Sequence, residues 1–191
     1  MRRTTTAIAA AGLLFTLAAC QDTITTEPSK SSAAETPAKS SAPAAEPQPT
    51  KARVAKVGDA IALKGNEDGE KVDAVLKKWV INAKPADDFS EPQPGTKWVA
   101  AQFELTNTGT APYADSPSNG AQVADADGQR FQATFAEITA GPSMTSGAKV
   151  PPGEKALGWI VFEVPKASKI STVQFALNSG FAEQTGQWAV S

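Results

Sequence analysis

Downstream of residue 50 the bulky residues fall in short runs separated by Gly, Pro, Asn and Asp clusters, the pattern of an all-β chain. Ala60–Lys64 reads as a strand, followed by a turn through Asn66-Glu67-Asp68-Gly69. In 72–81, Val72, Ala74 and Leu76 share one face, and the next apolar alternates are Trp79 and Ile81. That change of phase near Lys77-Lys78 predicts a bulge or a bend between sheets. The clearest alternation runs over 98–107, with Val99, Ala101, Phe103 and Leu105 against Gln102, Glu104 and Thr106. Residues 123–125 and 129–135 read as a hairpin closed at Asp127-Gly128, a favoured tight-turn pair. The nearly continuous apolar run 157–164 predicts a central strand covered on both faces. Val173, Phe175 and Leu177 alternate in the next strand, and 187–190 reads as a last, edge strand. Beyond residue 20 no long window keeps a helical period. About seven strands in such a length predict a sandwich of two sheets.

The first fifty residues are different. Arg2 and Arg3 precede an apolar stretch, Ala7 to Leu17, that is too short to span a bilayer and suits a secretion signal. It ends in Leu17-Ala18-Ala19-Cys20, which resembles the lipobox of bacterial lipoproteins. The resemblance implies cleavage between Ala19 and Cys20 and acylation of Cys20. More than one acyl chain would give a stable anchor. Residues 21–50 hold five Pro, five Ser, five Thr and six Ala, with Ile24 the one large aliphatic. Such a composition cannot bury enough surface to offset the cost of ordering, so 20–50 reads as a lipidated Cys followed by a disordered tether. Extended, that tether would reach roughly 90 Å, and as a flexible coil it would average about 30 Å. The expected organisation is signal peptide 1–19, tether 20–50 and sandwich domain 51–191.

Composition removes most familiar chemistry. The 191 residues include no His, one Cys, 18 Lys+Arg and 20 Asp+Glu. Without His there is no usual general base and no common metal ligand. One Cys allows no internal disulfide, Cys-rich zinc site or iron–sulfur cluster. A net charge of −2 gives no case for nucleic-acid binding. Loss of 1–19 removes two arginines and no acid, leaving the mature chain modestly acidic.

Several segments together resemble a known family: Val57-Gly58-Asp59, the strand Lys97–Leu105 ending in Thr106-Asn107-Thr108-Gly109, Asp125-Ala126-Asp127-Gly128, Pro151-Pro152-Gly153-Glu154 and Val161-Phe162-Glu163-Val164-Pro165. Over residues 54–178 the chain is similar to domain-of-unknown-function family 4352. The resemblance implies a disulfide-free, Ig-like (telokin-like) sandwich of two antiparallel sheets on the extracytoplasmic side of a Gram-positive bacterium. It also implies kinship with a mycobacterial immunogenic secreted protein, and it carries over no catalytic residue and no cofactor.

Candidate chemistry is sparse. Asp87, Asp88 and Glu91 lie in the long loop 82–96, which makes them candidate ligand residues. As neighbours in one Pro-rich loop they are a poor basis for the facing carboxylates of a glycosidase. Asp125-Ala126-Asp127-Gly128 opens like a calcium loop, but Arg130 and Ala136 stand where an EF-hand needs Gly and Glu, so a hairpin turn is the better reading. Tyr113 and Asp115, in the loop 108–120, are candidate recognition residues. Of the four tryptophans, Trp79, Trp98 and Trp159 fall within strands, where core packing is the better reading, although Trp98, on the opposite phase from Val99 and Phe103, is either packed on the other sheet face or exposed. Trp188, near the terminus, reads as the exposed ring. The chain is expected to be a non-enzymatic, lipid-anchored lipoprotein of the cell membrane that presents an interaction module to an envelope protein or cell-wall ligand. A small-ligand or calcium carrier is the first alternative, and a carboxylate-dependent envelope hydrolase the second.

Overall fold

A computed structural model describes residues 23–26 and 54–191. The signal peptide, the Ala19–Cys20 junction and the rest of the tether lie outside the described residues. The strands are β1 (Thr23–Thr25), β2 (Ala60–Lys64), β3 (Lys71–Val80), β4 (Thr96–Asn107), β5 (Tyr113–Asp115), β6 (Ala121–Asp125), β7 (Arg130–Thr134), β8 (Ala148–Val150), β9 (Lys155–Pro165), β10 (Ile170–Ala176) and β11 (Gln184–Ala189). Hydrogen bonding runs in the order β1-β11-β10-β6-β7-β9-β4-β3-β2, with β5 and β8 as a separate ribbon. The chain folds over at β7, which pairs with β6 through Val123↔Phe131 and with β9 through Ala133↔Phe162. Two sheets therefore face each other and share one strand, a sandwich with a barrel-like corner.

The alternations dictate what fills the space between them. Ile61 and Leu63 of β2, Val72, Ala74 and Leu76 of β3, and Val99, Ala101, Phe103 and Leu105 of β4 are all buried. They meet Val123, Val173, Phe175 and Trp188 from the other sheet. Phe103 marks the contact, with its ring 5.2 Å from that of Phe175 and 5.6 Å from Trp188, the latter edge-on. The shift of phase in β3 is a bulge: the register with β4 slips between Leu76 and Lys78, which turns Trp79 back towards the core.

Turn chemistry follows the side chains. Asp125 Oδ1 accepts the amides of Asp127 (3.0 Å) and Gln129 (2.9 Å), and Gly128 takes the positive φ of 85° that the β6–β7 turn requires. Asn107 is fully buried at the end of β4. Its amide donates to the carbonyls of Ala111 (2.9 Å) and Val150 (2.8 Å), and its oxygen accepts the Gly109 N–H (2.9 Å). The Thr-Asn-Thr-Gly ending of β4 thus ties the β4–β5 connection to the β5–β8 ribbon. A Cβ on Gly109 would meet the Gly69 carbonyl oxygen at 2.0 Å, so glycine there is a matter of space.

Four expectations change. The end of the chain is not an edge: β11 lies between β10 and β1, because Thr23–Thr25 pairs with Gln184–Gly186 in parallel. A tether without structure therefore does not describe residues 23–26, and the sheet that holds β1 is not wholly antiparallel. The loop 108–120 contains β5, paired with β8 through Tyr113↔Val150. Both short strands escaped the sequence pattern because three residues show no period.

Candidate functional site

The outer face of the β2-β3-β4-β9 sheet is not solvated where β4 and β9 cross it. Trp98 and Ala100 alternate with the inward residues of β4, and Trp159 and Val161 with those of β9, so both strands are apolar on two faces. Ala83 and Ile138 close over these four residues and form a second, smaller core. Two loops deliver them, 82–95 and 135–147, joined by Ala86 N to Glu137 O (3.0 Å) and Thr139 N to Lys84 O (3.0 Å). The near-continuous run in β9 is explained by this double coverage.

Glu163 pins the end of the first loop. Its Oε1 accepts the Gln93 amide (2.9 Å) and the Thr96 hydroxyl (2.6 Å), and its Oε2 accepts the Trp98 indole N–H (3.1 Å). Hydrogen bonding to the charged form, from Thr96 first and then Gln93 and Trp98, holds this carboxyl below the ordinary carboxylate range. Beside it lies an open groove of about 530 Å³, rimmed by Lys84, Glu91, Pro92, Lys97, Trp98 and Lys166. No ion pair engages the three lysines among the described residues. On the same loop Phe89 is 98% exposed, and Phe135, on the second loop, is 91% exposed. A groove with three free ammonium groups, and exposed rings on the loops that cap it, can hold a ligand by charge and apolar contact.

The sequence candidates separate on this frame. Asp87 is a turn former, its Oδ1 accepting the amides of Phe89 and Ser90 (both 2.8 Å). Asp88 is exposed, and Glu91 rims the groove. The three acids share a loop and are not brought together around a reacting position by any hydrogen bond between them. Tyr113 and Asp115 lie at the other end of the sandwich. Tyr113 is 1% exposed, so it offers no recognition surface; burial, and then the adjacent Asp115 charge, raise its phenol well above the usual value near 10. Asp115 is half-buried and fastens the β10–β11 connection by accepting the Ser179 N–H (3.0 Å) and hydroxyl (2.7 Å). That connection carries Asn178 and Ser179 at positive φ. Trp188 is the opposite of an exposed ring: it is fully buried and donates to the Asp59 carbonyl (2.9 Å). The ring is covered because β11 is not an edge but lies between β1 and β10. Among the described residues no three acidic side chains gather as a metal site, and no helix is long and apolar enough to cross a membrane.

Sequence reasoning missed Glu163, Phe89 and Phe135. Glu163 had a signal, as the lone charge in the apolar run of β9. Loop aromatics have no period to betray them.

The model of the domain of unknown function DUF4352 matches residues 69–185, more than half of the chain. The chain belongs to the DUF4352 family. Among solved structures it is similar to MPT63, a secreted protein of Mycobacterium tuberculosis, at 19% identity and a TM-score of 0.50, covering 71% of this chain and 95% of that one. It is also similar to ycdA, a candidate lipoprotein of Bacillus subtilis, at 14% identity and a TM-score of 0.50, covering 68% of this chain but only 38% of that one. At these identities the likeness shows a shared fold. Among curated proteins none matches the chain. The family match begins at Gly69 and stops at Thr185, so this DUF4352 domain carries β1, β2 and most of β11 outside the matched stretch.

Proposed function

We propose that this DUF4352 protein is a lipid-anchored, extracytoplasmic lipoprotein whose Ig-like sandwich binds an envelope partner through the loops 82–96 and 135–147, and that it is not an enzyme. The observation that carries the binding role is the groove beside Glu163: open, lysine-rimmed, held in shape by three hydrogen bonds to one carboxylate, with Phe89 projecting from the same loop. Loops on a rigid scaffold are the usual place for recognition. Support for the address comes from Leu17-Ala18-Ala19-Cys20 and from the likeness to MPT63, a secreted protein, and to ycdA, a candidate lipoprotein.

Two variants test the two halves of this reading. Cys20→Ala releases the protein from the membrane or stalls it as precursor; retention in the membrane fraction refutes the anchor. In-cell crosslinking of the acylated chain recovers a specific envelope component. Phe89→Ser together with Lys166→Glu abolishes that recovery, and undiminished recovery places the binding surface elsewhere. The same groove also suits a small anionic ligand carried without a protein partner. Thermal stabilisation of the full chain by such a compound, lost in Lys97→Glu, would favour that second reading.

A further inference from the structure

The outer edge of β11 is covered by two separate pieces of chain running in the same direction. Thr23–Thr25 pairs with Gln184–Gly186, and Lys56 pairs with Ala189 further along. Between them the Ala55 N–H donates to the Thr26 carbonyl (2.5 Å), and Gln184 Nε2 donates to the Thr25 hydroxyl (2.8 Å). Thr26 and Ala55 therefore meet at one point of the edge. The docked piece is Thr-Ile-Thr, the β-branched triplet in a stretch otherwise rich in Pro, Ser and Ala. An uncovered β11 would leave a row of unpaired N–H and C=O groups.

Parallel pairing fixes a direction. Gln184 sits at the end of the sandwich where Lys64 closes β2, with the Lys64 amide on Gln184 Oε1 (3.0 Å). The turn 65–70 is at this end, Asn66 N donating to Asn178 Oδ1 (2.9 Å). Ala189 sits at the opposite end, paired with Thr172 near the start of β10. There the Lys166 amide reaches the Gly95 carbonyl (3.0 Å) and the Ala126 amide the Lys169 carbonyl (3.1 Å). Cys20 precedes Thr23 by three residues, and the chain cannot carry it more than about 11 Å from the start of β1.

We infer that the outer edge of β11 is the docking surface for the segment that follows Cys20, and that this docking holds the sandwich close to the bilayer in one orientation. The end with the turn 65–70 faces the membrane, and the end with loops 82–95, 126–129 and 166–169 faces outward. The inference rests on acylation of Cys20. It replaces a long spacer by a short one: with β1 docked, the reach of residues 27–53 does not separate the domain from its anchor. It also names the presented end, the one that carries the lysine-rimmed groove.

The test uses the full acylated protein in phosphatidylglycerol–phosphatidylethanolamine vesicles containing a headgroup acceptor dye. Acylation occupies the only native cysteine, so a donor attaches to one introduced thiol, in Asp68→Cys or Asp127→Cys. The twelve residues of β4 make the sandwich roughly 40 Å long. Energy transfer from position 68 should exceed that from position 127 by about twofold or more. Adjacent residues of an edge strand point alternately, so Ile24→Pro with Thr25→Pro removes the N–H that faces β11 in either register. The asymmetry should vanish in that variant while its near-ultraviolet circular dichroism stays native. Equal transfer from both positions, or an asymmetry unchanged by the prolines, overturns the inference. Amide exchange at Thr185 and Gly186 in the same chain separates the two premises. Protection lost in the proline variant supports docking even where the protein fails to sediment with vesicles, a failure that would refute the anchor and with it the membrane orientation. Unchanged protection refutes docking itself.

Discussion

Replacing Trp188 probes the join between the two sheets. The indole is fully buried in β11, edge-on to Phe103 with centroids 5.6 Å apart, and its N–H donates to the Asp59 carbonyl just before β2. It therefore spans the side of the sandwich opposite the β7 corner, where no continuous strand pairing joins β11 to β2. Truncation to Ala removes the whole ring and leaves a cavity, which in cores costs about 3–5 kcal/mol. Trp188→Phe keeps most of the volume and loses the hydrogen bond, for about 1–2 kcal/mol. Against a domain stability of about 5–15 kcal/mol the first loss is large. Urea unfolding followed by circular dichroism at equal slope gives both values directly. A Trp188→Ala midpoint within about 0.5 kcal/mol of the unsubstituted chain is the surface-residue result. It would refute both the buried ring and the closure of the sandwich on that side.

Other consequences are as specific. Asn107→Ala removes three hydrogen bonds from a fully buried position and strands two carbonyls and an amide, so it should cost about 2–4 kcal/mol, read from denaturant midpoints; a change under 1 kcal/mol counts against the Asn107 hub. Glu163→Gln should loosen residues 91–96, seen as faster amide exchange at Gln93, with a global cost of no more than about 1 kcal/mol because the carboxylate is largely solvated. Its folded pKa lies below the ordinary 4.5, so the stabilisation is complete above that value and fades as pH falls through the lower folded one; acid-induced exchange at Gln93 should therefore be absent in Glu163→Gln. Tyr113, the single tyrosine, has its folded pKa raised, so its contribution is complete below pH 10 and is lost as pH climbs beyond it. Phenolate absorbance should accompany alkaline unfolding; its appearance near pH 10 in a still-folded chain would refute the burial.

Much of the architecture was written in local pattern. Val99, Ala101, Phe103 and Leu105 alternate because a half-buried strand must, and the slipped phase at Lys77-Lys78 announced the bulge that the pairing of β3 with β4 contains. Asp125, Asp127 and Gly128 dictated their hairpin through the chemistry of three residues. The same locality explains what stayed hidden. β1, β5 and β8 are three residues each, too short for a period, and they exist because a partner edge nearby has free backbone groups to satisfy. Trp188 and Tyr113 look like terminal and loop aromatics until tertiary structure wraps β1 around β11 and β8 against β5. The groove needs Glu163 on β9, Lys84 and Glu91 on one loop, Lys97 on β4 and Lys166 beyond β9, residues that no spacing in the chain connects. Periodicity and turn residues determined the longer strands, because each depends on neighbours in sequence. The burial of Trp188 and Tyr113 was decided by long-range pairing, because burial depends on what the rest of the chain brings to cover a side chain.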